Sequence, residues 1–238
     1  MKIVIAGANS AVGQAILRCQ SGPAAAHVLV AAVRSARAAD EIRPLLGEGS
    51  SLAQISYSDS SSLDAAFQGA SAVIHLAGIL VERPGSTYAQ ANVEPTRSVV
   101  EAAQRCGVEK LVLISATGAD ETSSNGYYRS KGQAEVMLRA SGLRYTRLRA
   151  PLLLGPETEG GAALARNARG SKAKLIGGGR NYQQPLYVDD LARGAIAATQ
   201  PAVANNRTLE LIRPVALLER ELVEPAARRL GPEVQTST

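Results

Sequence analysis

One pair of residues in this chain has an evident chemical use. Tyr127-Tyr128-Arg129-Ser130-Lys131 contains the spacing Tyr-x-x-x-Lys, and on a helix positions i and i+4 share a face. Tyr127 and Lys131 would then project side by side. A free phenol, with a pKa of about 10, exchanges protons poorly at neutral pH. A neighbouring ammonium favours the phenolate and lowers that value. Such a pair suits proton exchange with an alcohol or carbonyl oxygen while a nicotinamide exchanges a hydride. The plainer reading is a surface pair without chemistry, so the surrounding elements have to decide.

The element that would hold a nucleotide stands at the N-terminus, in MKIVIAGANSAVGQAILR. Ile3 to Ala6 is a short β-branched run, as in a buried parallel strand. Gly7 lets the chain turn, and Gly13 falls where an apolar helical pattern (Val12, Ile16, Leu17) begins. Strand, glycine turn and helix form the first half of a dinucleotide-binding βαβ unit. The helix start would offer free N–H groups and a positive dipole end to a pyrophosphate. The turn residues Gly7, Asn9, Ser10, Ala11, Val12 and Gly13 are its candidate ligands. Their spacing, Gly7-x-x-Ser10-x-x-Gly13, differs from the common G-x-G-x-x-G fingerprint. Ser10 would either crowd a phosphate or hydrogen-bond to it.

Strand and helix signals then alternate. Val28–Val33, Leu52–Tyr57, Ala72–Ala77, Lys110–Ser115 and Leu143–Leu148 read as further strands. Between them fall helices over Ala38–Leu46, limited by Pro44, and from a Ser61/Asp64 capping box to Gly69. A long helix from Thr87 to Cys106, with Pro95 marking its start, precedes one over Gly126–Ala140. The alternation predicts an α/β fold, a doubly wound parallel sheet covered by helices on both faces. After Arg149 the texture becomes irregular. Helical patterns fall over Ala162–Arg169, from Asp189-Asp190 to Thr199, and over Leu217–Leu230, where Pro225 should kink or split the last. A short strand reads over Thr208–Ile212. Residues 1–150 are therefore expected to form the nucleotide-binding core, and 151–238 a small substrate-side lobe that does not fold alone.

Composition narrows the function classes. With 238 residues the chain fits one sizeable domain. Its net charge of +5 comes mostly from scattered arginines, and aromatic content is 3% with no Trp. That argues against a stacking platform for nucleic acid. No stretch approaches the ~20 apolar residues of a membrane span, and no signal-peptide pattern precedes the first strand, so a cytoplasmic protein is expected. Cys19 and Cys106 read as buried free thiols, and His27 and His75 as packed residues. No metal cluster, nucleophile elbow or phosphate loop of the Walker type is present.

Taken in order, these pieces resemble the extended and atypical short-chain dehydrogenase/reductases, the epimerase and NmrA-like branch of the Rossmann proteins. Tyr127 and Lys131 match that family's catalytic tyrosine and lysine, with SKGQAE (Ser130–Glu135) as their usual continuation. His75-Leu76-Ala77-Gly78 resembles the cofactor-contacting end of the fourth strand. Asn92, Thr96 and Val100–Ala103 look like the following helix, and LRAPLLLGP and QPLYVDDLA like later family segments. The resemblance implies cofactor contacts at Leu76, Ala77, Gly78, Asn92 and Lys131, and at Asp59 on the adenine side. It implies a catalytic hydroxyl from either Ser115 or Thr117. Arg34 and Arg37, at the end of the second strand with no carboxylate before Asp40, favour NADP over NAD. The expected function is an NADP-dependent oxidoreductase acting on the carbonyl or alcohol of a small molecule. The alternatives are a non-catalytic NADPH-binding sensor or assembly protein, NmrA-like or like a respiratory complex I subunit, and a nucleotide-sugar epimerase or dehydratase. Oligomeric state stays open.

Overall fold

The computed structural model describes residues 1–21, 26–170 and 173–230. The end of the expected lobe, after Leu230, lies outside them. Seven strands form one parallel sheet: β1 (Lys2–Ala6), β2 (Val28–Val33), β3 (Ser51–Gln54), β4 (Ala72–His75), β5 (Lys110–Ala116), β6 (Arg144–Ala150) and, later in the chain, Arg207–Glu210. The order across the sheet puts the last of these beside β6, followed by β5, β4, β1, β2 and β3, and every pairing is parallel. This is the doubly wound Rossmann order, which reverses between β1 and β4.

Alternation along the strands explains the two layers. Ile3, Ile5, Ala31 and Ile74 point to one face, where α1 (Ala11–Cys19) and α2 (Ala36–Ile42) pack. Val4, Ala6, Val73 and Leu111 point to the other, under α3 (Ser60–Phe67), α4 (Glu94–Arg105) and α5 (Gly126–Ala140). Both faces of the sheet are thus dry, as continuous apolar strands require.

The chain after Ala150 divides its work. It first makes β7 (Leu153–Leu154), α6 (Glu159–Ala168), β8 (Tyr182–Gln183) and β9 (Leu186–Tyr187). Then α7 (Val188–Ala198) returns to the sheet, burying Val188, Leu191, Ala192 and Ala195 in the same cluster as α1. The seventh sheet strand, β10 (Arg207–Glu210), follows. β11 (Leu217–Leu218) pairs with β8, and α8 (Glu219–Leu230) packs on α6 around Val223, Ala227, Ala168 and Ala173. Much of this region is therefore core, and α6, α8 and the short strands are what stand outside the sheet.

Several local expectations change. The cap of α3 is Asp59, which accepts from Ser61 N–H at 3.0 Å, not Ser61 with Asp64. Asp64 instead pairs with Arg105 at 2.8 Å. The run before α4 is a π-turn over Ala89–Val93, and Pro95 stands in the first turn of α4. Asp189 and Asp190 lie in the first turn of α7 but neither caps it through its side chain. α8 runs through Pro225 unbroken. Cys19 is exposed at the end of α1 and Cys106 is half-buried, so the expectation of two buried thiols fails at Cys19.

Candidate active site and nucleotide cleft

The glycine turn is built by contacts that exclude side chains. Gly7 adopts φ +93°, and a Cβ there would lie 3.2 Å from Ala77 N. A Cβ on Gly13 would lie 2.3 Å from Ala8 O, so only glycine lets α1 start this close to the strand. Ser10 has an ordinary extended backbone (φ −68°) and caps α1: its hydroxyl oxygen accepts from Gly13 N–H at 3.2 Å. Because an N-cap oxygen satisfies one of the orphan donors, the N–H groups of Ala11 and Val12 remain for a ligand, and the Ser10 hydroxyl proton is left to donate. Asn9 is exposed beside them.

At the end of β2, Ser35 caps α2 by accepting from Ala38 N–H at 3.2 Å, which leaves Arg34 and Arg37 exposed on either side. Neither has a carboxylate partner among the described residues. Burial pushes the Tyr57 phenol up to about 12, and the Arg34 charge beside it pulls the other way. Asp59 is occupied as a cap. The Ser61 hydroxyl and N–H hold its carboxyl below the ordinary range.

The central feature lies at the ends of β4 and β5. Lys131 is buried on α5 and its Nζ approaches Ile114 O at 3.4 Å. A Cβ on Gly78 would stand 3.0 Å from Lys131 Nζ and 3.0 Å from Asn92 Oδ1. The bare backbone of Gly78 therefore faces both polar groups. Asn92, in the π-turn, accepts from Ile79 N–H at 2.7 Å and donates to Ile79 O at 3.3 Å and Ser130 Oγ at 2.8 Å. It clamps the Leu76–Ile79 loop to α5. The π-turn supplies this geometry, consistent with the frequent placement of such turns at functional sites.

Tyr127 and Lys131 share α5, whose start Asn125 caps by accepting from Tyr127 N–H at 2.9 Å. The expected lowering of the Tyr127 pKa is absent. Burial first, then Tyr128 and Tyr88, push it up to about 12. The ring packs between Tyr88 and Tyr128, with centroids 6.0 and 5.5 Å away, and the Lys131 amine is turned toward Ile114 and Gly78. Burial also lowers the amine to about 8, partly opposed by Glu135. His75 is wholly buried, as expected for a packed residue. Burial and then the Lys131 charge lower it to about 3. Thr96 donates to Asn92 O at 2.7 Å, so it accepts from His75 Nε2 at 3.1 Å.

The two hydroxyls left open by the sequence have different surroundings. Ser115 donates to Glu135 Oε1 at 2.6 Å. Glu135 is buried and also takes two hydrogen bonds from Arg149, at 2.9 and 2.8 Å. Arg149 donates further to Ala119 O at 3.0 Å, which ties down the loop after β5. Thr117 Oγ1, by contrast, is buried with no partner, one residue beyond the strand. Ser130, Tyr88, Glu135 and Arg149 were not singled out in the sequence. Glu135 alone had a signal there, standing four residues after Lys131 on one helix face.

The fold and the glycine turn define an NAD(P)-binding Rossmann protein. The sequence pattern of the NAD(P)H-binding family matches residues 7–176, and the chain belongs to that family. It is 31% identical over 147 residues to an uncharacterized protein of Sinorhizobium fredii, covering 53% of this chain and 41% of that one. It is 26% identical over 169 residues to a ceramide reductase of Caulobacter vibrioides, covering 71% and 53%. A mouse mitochondrial subunit of NADH dehydrogenase, alpha subcomplex subunit 9, is 26% identical over 167 residues, covering 70% and 44%. The chain spans about half the length of the curated relatives it matches. Among solved structures, UDP-glucuronic acid 4-epimerase from Bacillus cereus, in complex with UDP-glucuronic acid and NAD, superposes with a TM-score of 0.82 at 18% identity, over 100% of this chain and 85% of that one. That likeness is one of fold.

Proposed function

We propose that the chain is an NADPH-dependent oxidoreductase of the short-chain dehydrogenase type that reduces the carbonyl of a small molecule, with the region after Ala150 closing the substrate side. The observation that carries this reading is the buried amine of Lys131, on the same helix as Tyr127, held 3.4 Å from Ile114 O of β5 and against the bare backbone of Gly78 after β4; Thr117 Oγ1, unpartnered just after β5, offers a hydroxyl at the same sheet end.

The residues present fit a dinucleotide. The close approach of Gly7 to Ala77 and the free N–H groups of Ala11 and Val12 suit a pyrophosphate. Arg34 and Arg37 would hold a 2′-phosphate. Leu76, Ala77 and Gly78 give a floor without bulk, with Asn92 fixing it and Lys131 placed to meet a ribose. When bound, the reduced nicotinamide supplies the hydride. Tyr127 keeps its proton at neutral pH and would donate it to the carbonyl oxygen; burial raises the phenol to about 12, so the transfer depends on stabilising the phenolate it leaves. The Lys131 ammonium would stabilise the phenolate left behind. Thr117 would donate to the same substrate oxygen and so orient it. Ser115 is excluded from that role in this proposal because its proton is held by Glu135.

A non-catalytic NADPH-binding protein is the second reading, favoured by the packing of the half-buried Tyr127 ring between two other tyrosines. One experiment separates the two. NADPH and NADH are titrated by nucleotide fluorescence, and reducible carbonyls are then offered to wild type and Tyr127→Phe. The expected result is a preference for NADPH of about tenfold or more, mostly lost in Arg34→Ala, and turnover at least about a hundredfold lower in Tyr127→Phe with NADPH affinity retained. Equal turnover in Tyr127→Phe would remove the catalytic roles, and failure to bind either nucleotide would remove the whole reading.

A further inference from the structure

We infer that the substrate is an apolar carbonyl compound, received by a hydrophobic mouth that begins at Tyr127. The inference rests on the oxidoreductase reading for the word substrate, but its observations are independent of it. In a parallel sheet all C-terminal strand ends lie at one rim, where ligands bind. Nine of the thirteen exposed large apolar side chains among the described residues belong to segments leaving that rim, whereas Met1, Val28, Val203 and Leu230 do not. Isolated exposed apolar residues are ordinary; those adjoining the proposed proton donor are the informative ones.

The mouth has two sides. After β4, Leu80 and Val81 are 50% and 63% exposed. Tyr88 is joined to this loop by donating its hydroxyl to Leu80 O at 2.9 Å. Its ring and that of Tyr128 pack directly on Tyr127, so the apolar surface is continuous with the proposed proton donor. Two charges on this side are already used: Glu82 accepts from Tyr88 N–H at 2.7 Å, and Arg129 donates to Ser123 O and Ser124 O at 2.7 and 3.1 Å. On the other side the chain leaves β6 beside Thr117, because Ala116 and Ala150 are in register and Thr117 N–H donates to Ala150 O at 3.0 Å. It leads at once to exposed Leu152. Apolar side chains flanking a reactive group commit binding energy to an apolar substrate body, while Tyr127 and Thr117 would grip its single oxygen.

The test uses 6-acyl-2-(dimethylamino)naphthalenes, which are fluorescent apolar ketones, with propionyl and hexanoyl chains. Each is titrated into the cofactor-free protein and followed by its emission shift. NADPH is titrated separately by its own fluorescence. The inference expects saturable binding that tightens at least tenfold from propionyl to hexanoyl, since each covered methylene is worth about fourfold. It expects Val81→Asp and Leu152→Asp to weaken the hexanoyl ketone. Chain-length independence, or displacement of the ketone by UDP-glucose with tighter binding of the sugar nucleotide, would overturn it even with NADPH binding intact. Chain-length dependence without NADPH binding would uphold the apolar site and overturn the oxidoreductase reading instead.

Discussion

Replacing Lys131 by methionine should make the protein more stable and a poorer binder of NADPH. Burial holds the Lys131 amine at about 8, against about 10.4 for a free lysine. At 1.36 kcal/mol per tenfold, keeping the amine charged costs the folded state about 3 kcal/mol at pH 7. The folded pKa lies below the unfolded one, so this cost is fully present below pH 8 and disappears as the pH rises toward 10.4. Methionine keeps the length and most of the packing of the side chain. It forfeits the long contact to Ile114 O, worth at most about 1 kcal/mol. Lys131→Met should then gain about 2 kcal/mol at pH 7, or roughly 4–8 °C in Tm for a chain of this size. The gain should shrink by about 2 kcal/mol at pH 9.5, because the wild type has by then largely shed its charge penalty. Urea and thermal unfolding of both proteins without nucleotide, at pH 7 and pH 9.5, measure this. NADPH affinity should fall by about tenfold or more through loss of a charged hydrogen bond. A Lys131→Met protein less stable than wild type at pH 7, or a stability difference independent of pH, would refute the reasoning.

The remaining predictions concern other residues of the candidate site. Thr117→Val should leave the unfolding midpoint nearly unchanged, because its hydroxyl has no partner, while lowering kcat for a reducible carbonyl at least tenfold. Ser115→Ala should do the reverse, costing about 1–2 kcal/mol in urea melts with kcat retained, since it removes a hydrogen bond to a buried carboxylate. Glu135→Leu leaves the Arg149 guanidinium without its main partner, and should cost about 3–5 kcal/mol. Gly13→Ala places a Cβ against Ala8 O. It should weaken NADPH binding and lower Tm together, whereas a wild-type melt would show that α1 shifts freely.

The sheet was legible because its strands are continuous apolar runs between glycine and helix signals. The boundaries of α5 fell where Asn125 and Gly142 put them. The lobe boundary was harder to see, because β10 and α7 return to a sheet begun 200 residues earlier, and a short strand such as Arg-Thr-Leu-Glu carries no mark of its parallel neighbour. The candidate site was legible as a set of residues and much less so as a geometry. Ser115 and Thr117 are alike in sequence. What separates them is Glu135, brought to Ser115 by the register between α5 and β5. The i, i+4 spacing rightly put Tyr127 and Lys131 on one helix, but it could not tell that Tyr88, almost forty residues earlier, would pack on the phenol and contribute to its raised pKa.

Lys131 is not the only group on this rim that costs the empty protein free energy. Tyr57 OH, His75 Nδ1 and Thr117 Oγ1 are all buried without partners, and they stand just after β3, at the last residue of β4 and just after β5. Lys131, with its charge penalty, lies beside His75. A native protein leaves few such groups unsatisfied, and each costs about 1–3 kcal/mol when it does. On the proposed reading these three of the eight such atoms among the described residues, with the glycines whose missing side chains keep the backbone open, would serve a polar ligand. Preorganised groups need no rearrangement on binding, and the free energy lost in the empty protein returns as affinity. On this argument a nucleotide that seats in the cleft should raise Tm by more than its affinity at one temperature suggests only if it also orders the chain; if the groups are already in place, the rise in stability should equal RT ln(1 + [L]/Kd). Melts across a range of NADPH concentrations, compared with the titrated Kd, distinguish these cases, and an excess stabilisation would count against a preformed site.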